Sequence, residues 1–453
     1  MKKIISLVLS TLMCVSLAAC STTDEDTSTT PTATDETTTE VTEGKVLNIY
    51  AWNTEFQDRF NDYYADKVPS DVTVNWIITP NEGNAYQNKL DETLLKQDSA
   101  DDDDKIDVFL IEADYALKYV NSDYTMDIAD LGITDADIAD QYAYTKEITT
   151  DSTGAIKGLS WQATPAGFIY RRSIAMDVLG SDDPEVVQEA LDSWDKFDAV
   201  AAEAKEKGYY MLSGYDDAYR VYSNNVSQPW VDENGTIQID DSLKQWVAQT
   251  KEYTDMGYNN KANLWSSESF AGAAEDGTVF GYFGPGWFFD FVLMPATLAD
   301  SEAPAEVGNG SYGDWGVVKG PQGFFWGGTW ICAATGTDNE ALIADMMKTL
   351  TCDEETLVQI TEDKGDFTNN EKAMEEIANS DYQNDFLGGQ NYISVLADSA
   401  NSVDMSNLGA YDQGLNESFQ AAFMDYFNGE VDEETAYENF YTAAIELYPN
   451  LSK

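Results

Sequence analysis

The chain has 453 residues, is 43% hydrophobic, and carries 25 basic against 82 acidic side chains, a formal net charge of −57. That excess of negative charge rejects nucleic acid and anionic lipid as partners. The absence of histidine excludes Ser-His-Asp and Cys-His nucleophile systems and any His-ligated zinc, and the length points to two or three domains rather than one core.

Lys2 and Lys3 precede an apolar run, Ile4 to Leu17, that is too short to span a bilayer and ends in small residues, the pattern of an export signal. Its last residues, Leu17-Ala18-Ala19-Cys20, resemble the bacterial lipobox, whose cysteine becomes the lipid-carrying first residue of the mature protein. Residues 1–19 are therefore expected to be a lipoprotein signal peptide, with Cys20 the lipidation site and anchor at the extracellular face of the cell membrane. Ser21 to Gly44 is mostly Ser, Thr, Asp, Glu and Pro, with seven acids and no base. Such a stretch cannot bury enough apolar surface to offset ordering, so residues 20–44 read as a disordered tether with a reach of at most about 80 Å.

In the body, Val46 to Trp52 predicts a strand, followed by a helix with Phe56, Phe60, Tyr63 and Tyr64 on one face. Val72, Val74, Trp76 and Ile78 alternate as a second strand, Tyr86, Leu90 and Leu94 mark a second helix, and Ile106 to Ile111 reads as a third strand after the solvated acid run Asp101 to Asp104. Strand-helix-strand-helix-strand implies a mainly parallel sheet, with ligands beyond the carboxyl ends of its strands. The pattern restarts past Gly158 with a strand over Gly167 to Arg172 and helices around Ser173 to Leu179 and Ser193 to Lys207. Asp232-Glu233-Asn234-Gly235-Thr236 predicts a hairpin turn; as a calcium loop it has its glycine too early and lacks the closing glutamate. Strands follow at Thr278 to Phe283, Asp314 to Val318 and Gly327 to Ile331, then a helix over Asn339 to Leu350. Two amphipathic helices end the chain, through Phe419, Phe423 and Tyr426, and through Tyr437, Phe440 and Leu447. Of the four cysteines, Cys14 lies in the signal and Cys20 at the lipid site, so Cys332 and Cys352 either pair or remain two free thiols.

Several segments, in this order, resemble the extracellular solute-binding proteins of bacterial ABC carbohydrate importers, the group of maltose-binding protein: the lipobox and tether, Gly167-Phe168-Ile169-Tyr170-Arg171-Arg172, Gly284-Pro285-Gly286-Trp287, Trp326-Gly327-Gly328-Thr329-Trp330, and Tyr411-Asp412-Gln413-Gly414. The resemblance covers essentially all of residues 45–453, although Gly286 is inserted in the family's usual Gly-Pro-Trp turn. It implies an α/β fold of two lobes joined by hinge crossovers, with residues 45–161 and 314–358 in the N-terminal lobe and 162–313 and 359–453 in the C-terminal lobe. Crossings are expected near Leu159 to Pro165, Ser311 to Trp315, and Leu357 to Asp363. It also implies a monomer that closes on an oligosaccharide, hands it unchanged to ABC permease subunits, and needs no cofactor or metal.

A pyranose has apolar C–H faces and a polar rim, so its site needs flat rings with carboxylates and amides around them. Trp76 and Trp246 sit at core spacings, and Trp194, after the helix-cap candidate Ser193, reads as structural. Trp52, Trp161, Trp230, Trp287, Trp326 and Trp330 stand at strand ends, at a crossing or beside glycine, and are the candidate stacking platforms. Tyr411 joins them from its resemblance to a family segment that supplies a contact from the second lobe. Asn53, Glu112, Asp114 and Asp412 are the candidate rim, while Arg171 and Arg172 are expected to pair structurally. A glycosidase would need only two well-placed carboxylates, but no hydrolase motif or eightfold strand-helix alternation is present. A peptide binder or adhesin is the other alternative; a peptide site would show charged groups for both termini.

Overall fold

The computed structural model describes residues 43–453. The expected signal peptide, Cys20 and the tether through residue 42 lie outside the described residues. The last two tether positions are held by the body: Gly44 donates its amide to the Asp338 carbonyl at 2.7 Å, and the Ala341 amide donates to Glu43 at 3.2 Å.

Four strands form the first sheet, in the order β10-β3-β1-β2: β1 (Val46–Ala51), β2 (Thr73–Ile78), β3 (Val108–Glu112) and β10 (Thr329–Ala333). The pairs β1–β2 and β1–β3 are parallel, and β10 runs antiparallel to β3 with Thr329 opposite Glu112 and Trp330 opposite Ile111. β1 and β3 are almost wholly buried, so they read as continuous apolar runs, whereas the edge strand β2 keeps an exposed, alternating face. The third strand ends one residue later than predicted, placing Glu112 on its last position.

The second sheet is built on β4 (Pro165–Arg171), which pairs antiparallel with β7 (Gly281–Pro285), β8 (Trp315–Val318) and the short β9 (Phe324–Phe325). A small parallel pair, β5 (Leu212–Gly214) with β6 (Asn259–Ala262), lies apart. Alternate residues of β4 serve different cores: Phe168 and Tyr170 join the aromatic core with Phe419, Phe423 and Phe440, while Ile169 joins the core of the first sheet. The period-two geometry of a strand thus puts the second sheet between the two cores.

Leu159 bridges Ile331 of β10, and the chain then runs through residues 160–164 into β4, the first link between the sheets. The second differs: Ser311 to Trp315 leads into β8, still in the second sheet, and the chain returns to the first sheet only between β9 and β10, at Trp326-Gly327-Gly328. Both glycines have positive φ, 71° and 101°, a region open to them because they lack a Cβ. The third expected segment is the helix Glu354–Lys364, which buries Leu357, Ile360 and Thr361.

Of the tryptophans expected to be structural, Trp246 is buried and Trp76 and Trp194 are partly buried against the two cores. Trp76 lies edge-on to Phe56 and Phe60, Trp194 stacks on Tyr222 at 4.3 Å, and Trp246 is buried against Phe427. Asp232 spends its carboxylate on the amides of Asn234 and Thr236, which closes the predicted turn. Arg171 pairs with Asp314 at 2.8 Å. Cys332 and Cys352 are both free thiols.

Candidate functional site

A cavity of about 910 Å³ lies beyond the carboxyl ends of β1 and β3 and reaches across to the turn after β7 and the Trp326-to-Gly328 return. It is at the upper end of the ~300–1,000 Å³ usual for small-molecule sites. Six predicted site residues line it: Trp52, Asn53, Glu112, Asp114, Trp287 and Trp326.

Trp52 follows the last residue of β1 and is held edge-on by Tyr86 (5.5 Å between ring centroids) and Tyr115 (6.5 Å). Tyr86 is itself fixed, donating its hydroxyl to the Leu110 carbonyl at 2.6 Å. Asn53 accepts the Glu55 amide at 3.0 Å and so starts the helix Glu55–Tyr63 at the cleft edge. On the other wall, the one-turn helix Gly286–Phe288 after β7 presents Trp287, whose indole N–H donates to the Trp326 carbonyl at 3.1 Å. The Trp287 and Trp326 rings meet edge to face at 5.1 Å. A Cβ on Gly327 would stand in ordinary contact with the Trp287 indole nitrogen, at 3.4 Å, so it is the backbone turn that calls for glycine here. The inserted Gly286 therefore leaves Trp287 on the cavity wall.

The charged groups of the cavity are mostly consumed by one another. Arg220, in the helix Tyr219–Asn224, grips both oxygens of Asp114 at 2.6 and 2.5 Å. Arg59 grips Asp366 at 2.6 and 2.9 Å. Glu112 accepts the Asp114 amide at 3.0 Å; burial, then the neighbouring Asp114 charge, pushes its carboxyl up to about 8. Burial, then Asp366, raises Glu55 to about 7. Both carboxyls therefore keep protonated forms near neutral pH, able to donate as well as accept hydrogen bonds.

Five predicted site residues lie elsewhere. Trp161 and Trp330 are 0% and 1% exposed, which corrects their assignment as stacking platforms. Trp161 stacks on Phe56 at 5.3 Å and donates to Asp366, and Trp330 donates to the Thr145 carbonyl. Each stands at a strand end or crossing, as the cleft residues do, but points into the core. Trp230 is buried edge-on to Phe419 and donates to Asn416. Asp412 accepts the Gly409 amide and, with Trp230, lines a separate small recess. Tyr411 packs on Tyr448 and accepts a hydrogen bond from Asn450.

The structure adds residues that sequence reasoning missed. Trp265 and Phe291 are 52% and 62% exposed on the cleft wall, and Trp265 meets the Trp326 ring edge to face at 5.6 Å. Trp265 follows a short strand and Phe291 sits in a single π-helical turn, Phe289–Leu293, so neither carries the α-helical or strand period. Arg220 is a lone base between Tyr219 and Val221, and its partner is 106 positions away.

Residues 56–386 match the family model described as bacterial extracellular solute-binding protein. The chain belongs to this family. It is a binding protein and not an enzyme. No curated protein matches the chain. Among solved structures, it is similar to an extracellular solute-binding protein of family 1 (TM-score 0.72, 19% identity, 89% of this chain and 99% of that one). It is also similar to an ABC-transporter-associated binding protein of B. animalis subsp. lactis Bl-04 in complex with β-1,6-galactobiose (TM-score 0.64, 20% identity, 89% and 97% covered). A third similar structure is the galacto-N-biose/lacto-N-biose I-binding protein of Bifidobacterium longum in complex with lacto-N-biose (TM-score 0.67, 14% identity, 91% and 100% covered). At these identities the likeness establishes the fold: two α/β lobes of the periplasmic-binding-protein type. Among the described residues of this family member, no helix is long and apolar enough to cross a membrane.

Proposed function

We propose that this solute-binding protein captures an uncharged oligosaccharide between its two lobes and delivers it, chemically unchanged, to the membrane subunits of an ABC importer. The lobes divide near residue 161, at 326–328 and near 358, and the chain is anchored outside the cell by lipid on Cys20. The observation that carries this reading is Trp52 on one wall of the cavity and Trp287 with Trp326 on another, with the cavity's arginines already paired. Indole faces suit the C–H faces of pyranose rings. With Arg59 and Arg220 engaged, no cation among the lining residues is left for a peptide carboxylate. The solved complexes with galactobiose and lacto-N-biose on the same fold support the choice of sugar.

The experiment is a thermal-shift panel of neutral xylo-, manno- and malto-oligosaccharides and of short peptides, followed by calorimetry and small-angle scattering on the hits. A neutral sugar is expected to bind and to reduce the radius of gyration, because a ligand drives closure only if it binds the closed form better. Binding of peptides alone would overturn the proposal.

A further inference from the structure

Two polar atoms in residues of the cleft wall, Tyr115 Oη and Asn81 Oδ1, are buried without a hydrogen-bond partner. Folded proteins keep few such atoms, because each forfeits its hydration without return. Tyr115 is held in place: its ring is 6% exposed and lies edge-on to both Trp52 and Tyr119. The neighbouring tyrosines are satisfied, Tyr86 by the Leu110 carbonyl and Tyr119 by Asp91 at 3.0 Å. In this cluster only the hydroxyl of the cavity-lining member is unspent. Glu112, three residues before Tyr115, adds a carboxyl at the same strand end.

We infer that Tyr115, Asn81 and Glu112, beside the Trp52 ring, form a subsite for the hydroxyl groups of one uncharged sugar unit, with the Asp114–Arg220 pair as its end wall. This inference rests on the oligosaccharide reading above. A sugar hydroxyl both donates and accepts: Asn81 Oδ1 accepts a hydrogen bond from it and Tyr115 Oη donates one to it. A uronic acid at this position would bury its carboxylate without a counter-charge, since the nearby guanidinium of Arg220 is already engaged by Asp114. The two orphaned atoms are thus an unfilled half of the ligand's hydrogen bonds, held in advance by the packing around them.

The test uses the purified full chain, with xylotriose, mannotriose and maltotriose as probes. Tyr115→Phe and Asn81→Ala should each weaken the trisaccharide that binds by about tenfold, the loss of one or two well-placed hydrogen bonds. The same variants should melt no lower than the parent, since each removes an atom without a protein partner. Tyr64→Phe is the contrast: its hydroxyl donates to Asp345 at 2.9 Å, away from the cavity, so it should lower the melting temperature and leave affinity unchanged. If a trisaccharide binds the parent and both cleft variants equally well, the subsite is overturned while the oligosaccharide reading stands. If none of the three binds the parent, both fall together.

Discussion

Arg220 holds Asp114 by two charge-assisted contacts of 2.6 and 2.5 Å, and its guanidinium also lies 5.6 Å over the Trp326 ring. One side chain therefore ties the end of β3 to the return segment between the sheets. Breaking this tie should loosen the ligand-free protein. Arg220→Gln is expected to raise its radius of gyration, and a double-mutant cycle with Asp114→Asn should give a coupling of about 1 kcal/mol, modest because both side chains are part-exposed. A coupling indistinguishable from zero would show that the pair does not hold the cleft together.

The aromatic walls make a second expectation. Covering about 60 Å² of apolar sugar surface at ~25 cal/mol per Å² is worth ~1.5 kcal/mol, about tenfold in affinity. Calorimetry should show that loss for Trp52→Ala and for Trp287→Ala, with folding retained. Trp330→Ala should behave in the opposite way, costing about 3–5 kcal/mol of stability through the cavity it leaves, as urea unfolding would measure. If Trp330→Ala leaves stability intact and abolishes binding, the assignment of rings to core and cleft is reversed.

Discrimination by charge is the third. The cavity holds Glu55, Asp58, Glu112 and Asp114, and its two arginines are paired. Galacturonic acid oligomers should bind at least about tenfold more weakly than neutral oligosaccharides of the same length, because their carboxylates lose hydration in a cavity whose arginines are already engaged. Equal affinity in calorimetry would mean that an arginine leaves its carboxylate to meet the ligand.

Stability should fall as pH rises through neutrality. Burial lifts Glu55, Asp217 and Asp290 to about 7 and Glu112 to about 8, against ordinary values of 4.5 for Glu and 3.8 for Asp. Between those values the folded state binds more protons than the unfolded chain, so these groups' contribution is full below about pH 4 and is lost as pH climbs past 7 to 8. Self-repulsion among the excess acids acts in the same direction. The urea midpoint should be higher at pH 5.5 than at pH 8.5; the reverse order would mean that these carboxyls ionise in the fold without cost.

Much of the architecture was legible because it is written in local patterns. The apolar run of β1, the alternation of β2 and the helical spacing of Phe56 and Phe60 each carry their own period, and all three appear in the structure near their predicted bounds. The return crossing was misplaced because Ser311 to Trp315 and Trp326 to Gly328 both look like strand boundaries. Only pairing partners distinguish them, and β8 and β9 chose β4.

For the site, sequence alone determined the kinds of chemistry available: no histidine, many indoles, an acidic balance, and aromatic residues concentrated at strand ends and glycine turns. It could not tell which indole faces a cleft, because Trp52 and Trp330 both stand at strand ends and differ only in what packs over them. Nor could it match Arg220 with Asp114, or leave the Tyr115 hydroxyl without a partner. Those outcomes depend on which distant segments share a few ångströms of space. Local residue order encodes the period of a strand or helix, whereas three-dimensional packing decides which side chains are covered and which remain for a ligand.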